Sequence, residues 1–82
     1  GEEFCVILPL ADKDKAYGVA CELKGRIEKT KIILRKEETG ITVSIGIAAF
    51  PFNASCADEL IFKVDKAMYE AKQRGRNRAC AA

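Results

Sequence analysis

Two acids stand side by side near the start of the chain, Glu2 and Glu3, with Gly1 before them and the apolar run Phe4–Leu8 behind. Neighbouring residues of an extended backbone point to opposite faces, so the pair can divide its work, one carboxylate on a metal ion and the other on a second group. At the far end, residues 71–82 carry Lys72, Arg74, Arg76 and Arg78 and no acid. Lys72 and Arg76 are four apart and share one face if a helix extends that far. A guanidinium fork and an ammonium point charge fixed in this way clamp a polyphosphate. Each feature also has a plainer reading: a Glu-Glu pair can be solvated surface, and cations in a last helical turn offset the macrodipole by about 0.3 to 1 kcal/mol each. Carboxylates at one end and paired cations at the other are together the inventory of metal-assisted work on phosphates.

Composition supports that direction by exclusion. The 82 residues contain no histidine, which removes imidazole acid/base chemistry, His-activated nucleophiles and imidazole zinc sites. The four cysteines, Cys5, Cys21, Cys56 and Cys80, form no CxxC pair, and are read as reduced thiols behaving as small hydrophobes. Fourteen basic against twelve acidic side chains leave a net charge of +2, too little to predict a nucleic-acid or membrane partner. No apolar run approaches the roughly 18 residues of a spanning helix, and the start lacks the layout of a secretory signal, so a cytoplasmic location is expected. A chain of this length buries only about 60% of the surface its unfolded form exposes, so one small domain is expected and a self-sufficient enzyme is not.

The elements that must position these residues follow from periodicity. Phe4–Leu8 reads as a buried strand closed by Pro9. Ala16, Val19, Ala20, Leu23 and Ile27 recur at helical spacing after a cap at Asp12 or Asp14, with Gly18 and Gly25 each weakening the helix by about 1 kcal/mol. Residues 31–36 and the alternating run Ile41, Val43, Ile45, Ile47 read as an antiparallel hairpin turned at Gly40. Gly46, inside a strand, marks a bulge or a close approach of another backbone or a ligand. Ser55, with Asp58 three residues on, opens a second helix whose stripe is Leu60, Ile61, Val64, Ala67, Met68 and Ala71, with Gly75 as its stop. The predicted order is strand, helix, strand, strand, helix: an α+β fold with helices packed on a small antiparallel or mixed sheet.

Three stretches then carry a family resemblance. Gly1-Glu2-Glu3-Phe4 resembles the last four letters of the GG(D/E)EF signature of the GGDEF domain of diguanylate cyclases. Thr42-Val43-Ser44-Ile45-Gly46-Ile47-Ala48 is similar to that family's T-V-S-I-G-V/I-A strand. Asp65-Lys66-Ala67-Met68-Tyr69, with Ala71-Lys72 and Gly75-Arg76-Asn77-Arg78, is similar to its D-x-A-L/M-Y-x-A-K-x-x-G-R-N segment. The landmarks occur in the family's order across the whole chain, so residues 1–82 are expected to be the C-terminal portion of a single GGDEF domain. The metal-binding aspartate, the guanine-reading residues and the inhibitory R-x-x-D of the family fall outside the chain.

The resemblance implies roles. Glu2 matches the acid that ligates magnesium or manganese. Glu3 matches the next acid, near the substrate ribose and able to assist metal binding. Gly1 matches the bare hairpin tip that the nucleotide approaches, and Lys72 and Arg76 match the pair on the terminal phosphates of GTP. Phe4, Ser44, Gly46, Asp65 and Tyr69 match structural positions, while Asn77 and Arg78 receive no role. Glu22 stands where the family often has an arginine of its product-inhibition surface, and an acid there would repel the phosphates of the product. The function implied is condensation of two GTP into cyclic di-GMP by a homodimer of such domains, with the isolated fragment inactive. The alternatives are a non-catalytic GGDEF module that binds GTP or cyclic di-GMP or only mediates dimerisation, and an unrelated small α+β domain.

Overall fold

In a computed structural model, residues 3–34 and 36–82 are described, and the elements run α1 (Lys13–Lys29), β1 (Ile32–Leu34), β2 (Glu37–Thr39), β3 (Ser44–Ile47), α2 (Ala57–Gln73) and β4 (Arg78–Ala81). Among the described residues, two helices and two small sheets, one antiparallel and one parallel, make the α+β class expected from the sequence.

The working part of the fold is β3–α2–β4. β3 and β4 are parallel, with Ser44 opposite Arg78, Ile45 opposite Ala79, Gly46 opposite Cys80 and Ile47 opposite Ala81. Parallel neighbours need a crossover, and α2 is that crossover. Both α2 and α1 pack on this pair of strands. The core is built mostly from small side chains: Ala20 of α1, Ile47 of β3, Ala54 ahead of α2, Ala67 and Ala71 within α2, and Cys80 of β4. Gly46 shows why it is glycine. A β-carbon there would overlap the Val64 carbonyl and the backbone of Met68, so the bare strand lets α2 lie directly on the sheet. Of the two possibilities raised by a glycine inside a strand, the close approach of another backbone is the one realised.

α1 begins where expected. Asp12 is its N-cap, accepting from the Lys15 N–H at 2.8 Å. Of its predicted apolar stripe only Ala20 is buried, and Val19 and Leu23 remain exposed. α2 starts later than the Ser55 reading. Its N-cap is Cys56, which makes no side-chain cap bond, and the Ser55 N–H donates to Glu59 at 3.1 Å, so Glu59 takes the part given to Asp58. The Gly75 stop is realised as a Schellman motif. The Arg76 N–H donates to the Ala71 carbonyl at 3.0 Å and the Gly75 N–H to that of Lys72 at 3.4 Å, with Gly75 at φ 115°.

Two strand expectations are corrected, and one strand is added. Phe4–Leu8 is not a strand: Phe4, Val6 and Ile7 are 93%, 70% and 81% exposed, because among the described residues no strand lies beside them to complete a ladder. The hairpin pairs β1 with β2, Ile32 opposite Thr39, rather than with the Ile41–Ile47 run, and it turns at Lys36 (φ 68°) instead of Gly40. A left-handed residue in so short a loop matches the twist of the flanking strands. β4 had no counterpart in the sequence reading, since Arg78-Ala79-Cys80-Ala81 has little strand propensity and is a strand because β3 is its neighbour.

Candidate functional site

The candidate site lies where the segment leading out of the acidic pair meets the last turn of α2. Lys72 Nζ stands 3.7 Å from Glu3 Oε2, an ion pair between two partly solvated side chains. Such an exposed pair contributes about 0 to 1 kcal/mol, so its interest is location rather than stability. The lysine can exchange the carboxylate for a phosphate oxygen at small cost. The structure thus brings together two of the residues singled out in the sequence. Gly1 and Glu2 lie outside the described residues.

Arg76 is placed differently from the sequence expectation. α2 ends at Gln73, so Lys72 and Arg76 do not share a helix face. Arg76 instead sits past the Schellman turn in left-handed backbone, φ 63°, between Gly75 and Asn77 at φ 47°. A non-glycine residue there costs on the order of 1 to 2 kcal/mol, which the surrounding contacts must offset. The contacts are specific. Arg78 Nε donates to the Arg76 carbonyl at 3.1 Å, and Asn77 Nδ2 donates to Glu28 Oε2 on α1. Lys24 lies 4.0 Å from the other Glu28 oxygen.

Asn77 and Glu28 are therefore the residues of this region that the sequence reading missed. A signal for Asn77 existed: asparagine after Gly-Arg at a helix end is a residue that tolerates left-handed backbone. Nothing in sequence paired it with Glu28, 49 positions away. Glu22, whose acid replaces an expected arginine, is taken up by Arg26 at 2.9 Å within α1.

A metal fits the donor chemistry rather than a preformed cage. Among the described residues no three of His, Cys, Asp and Glu cluster as a metal-binding group. Carboxylate oxygens with no imidazole anywhere in the sequence suit a hard cation such as magnesium, which takes one or two carboxylates and fills its shell with phosphate oxygens and water. The cysteines are free, with Cys80 buried and Cys5, Cys21 and Cys56 exposed. A hydrogen bond with Cys21, the charge of that thiol when ionised, burial and Cys80 push the Tyr17 phenol above its ordinary 10.0. Among the described residues no helix is long and apolar enough to cross a membrane.

The family model of the diguanylate cyclase GGDEF domain matches residues 1–78. The chain belongs to the GGDEF domain family. It is 36% identical over 78 residues to Diguanylate cyclase A of Treponema denticola, covering 95% of this chain and 21% of that protein. It is 41% identical over 85 residues to Diguanylate cyclase DgcM of Escherichia coli, covering 100% of this chain and 19% of that protein. It is also 37% identical over 81 residues to the uncharacterized protein YhcK of Bacillus subtilis, covering 98% of this chain and 23% of that protein. The GGDEF chain therefore spans about a fifth of the length of these curated relatives.

Proposed function

We propose that this chain is the C-terminal portion of a GGDEF domain whose whole protein condenses two GTP into cyclic di-GMP with release of pyrophosphate. The observation that carries the reading is the contact of Glu3 with Lys72, an acid of the signature beside a cation of the family's basic segment. In the reaction, the 3′-oxygen of one GTP bonds to the α-phosphorus of the other, the α–β phosphoanhydride bond breaks, and the hydroxyl proton passes to solvent. Repeating the step between the two nucleotides closes the ring.

In this reading Lys72 releases Glu3 and takes a terminal phosphate oxygen, and Arg76 holds a neighbouring oxygen. Glu3, freed, faces the ribose. Glu2 would hold magnesium or manganese, with Glu3 able to assist, and the chemistry such an ion supplies is neutralisation of charge on the phosphate oxygens. The remaining carboxylate comes from the part of the domain outside these residues. Two such domains, each presenting one GTP, form a homodimer in the cytoplasm, and the 82 residues alone make no product.

The test is turnover by the full-length protein with GTP and magnesium. Cyclic di-GMP is expected from the wild type, with at least a hundred-fold loss in Glu2→Gln and a raised KM for GTP in Lys72→Ala. Wild-type turnover with both variants unaffected contradicts the assigned roles. GTP binding without turnover supports the non-catalytic receptor instead.

A further inference from the structure

The turn after α2 contains a contact for which a phosphate clamp alone gives no reason. Gly75, Arg76 and Asn77 are all left-handed, at φ 115°, 63° and 47°. Glycine and asparagine accept that backbone readily, arginine does not. Left to solvent, the Arg76 backbone would relax, and the direction of its exposed side chain with it. The turn is instead held from three sides. The Arg76 N–H is bound to Ala71 of α2 at 3.0 Å, its carbonyl accepts from Arg78 Nε at 3.1 Å, and the next side chain, Asn77, reaches across to Glu28 of α1.

The Asn77–Glu28 contact is a different kind of hold from the other two. It is charge-assisted, it joins residues 49 apart, and it is the tie from this turn to the other helix. The amide is committed to it: Asn77 Oδ1 is buried with no hydrogen-bond partner, so the side chain has given up one polar atom's solvation to keep its donor on Glu28. Glu28 in turn has Lys24 one helical turn back.

We propose that Glu28 and Asn77 are positioning residues that fix the left-handed turn on α1 and so aim the Arg76 guanidinium at the terminal phosphates of GTP. The inference rests on the reading of Arg76 as a phosphate ligand and goes beyond it, because neither residue touches the nucleotide. The pair acts through Arg76, so its contribution vanishes when Arg76 is gone. A contact that served stability alone would act whether Arg76 were present or not.

The experiment is binding of a non-hydrolysable GTP analogue, with magnesium, to the full-length protein. Glu28 is an exposed helix residue whose replacement leaves the chain able to fold, and Asn77→Gly keeps the left-handed backbone while removing the tie. Glu28→Ala and Asn77→Gly are each expected to raise Kd about five- to ten-fold, and Glu28→Gln, which keeps the acceptor, to stay within about two-fold. In an Arg76→Ala background Glu28→Ala is expected to add nothing. Arg76→Ala weakening binding while Glu28→Ala leaves it unchanged overturns the positioning role and spares the phosphate reading. The same loss from Glu28→Ala with and without Arg76 also overturns it. Arg76→Ala leaving Kd unchanged overturns both.

Discussion

Phe4–Leu8 and Arg78–Ala81 are two short segments at opposite ends of the chain, and their fates are the reverse of their sequences. Cys5-Val6-Ile7-Leu8 is apolar and carries two β-branched residues, whereas Arg78-Ala79-Cys80-Ala81 has none. Yet the second is a strand with Cys80 buried, and the first is irregular backbone with its large side chains in solvent. The difference is the neighbour. α2 returns the chain alongside β3, so residues 78–81 find a row of hydrogen-bonding groups, and Ala82 adds one further bond to Ile47 at 2.7 Å. Strand propensity expresses how well a side chain fits a sheet that already exists, and it does not create the sheet. In this reading the Phe4–Leu8 run acquires its sheet in the complete domain.

The largest effect should come from the well-packed region. Gly46→Val forces a side chain into the backbone of α2, and urea unfolding is expected to show a loss of about 3 kcal/mol or more. A near-neutral substitution would mean that α2 does not lie on β3 as described. The open segment gives the sharper contrast. Ile7→Ser is expected to change the stability of the 82-residue chain by less than about 0.5 kcal/mol, since Ile7 is exposed, but that of the full-length protein by about 2 kcal/mol or more. Equal effects in both would show that the segment's environment is the same with and without the rest of the domain. The smallest effect is local to α1: Asp12→Ala removes the cap on the Lys15 N–H, and denaturant unfolding should register about 1 kcal/mol.

What could be read from the sequence follows the same division. Both helices were legible because their signals are local: an aspartate before a periodic run, a glycine after one. The close approach at Gly46 was legible as a glycine without reason inside a strand. The pairing of strands was not, since the partner of β3 lies beyond a whole helix and the true hairpin turn at Lys36 carries no glycine. In the candidate site, Glu3 and Lys72, singled out by their chemistry, stand side by side in space. Arg76 was given its place on a helix that stops three residues earlier, because spacing alone does not say where a Schellman turn diverts the chain. The Glu28–Asn77 contact was invisible for the reason β4 was: both depend on what folding brings beside a residue.

The most direct test of the account compares two proteins under one condition, GTP with magnesium, and measures cyclic di-GMP. The full-length protein is predicted to make it and the 82-residue chain to make none, because the cations proposed to hold the phosphates do not by themselves complete the proposed site. Product from the 82 residues by themselves, or none from the full-length protein, would contradict the account.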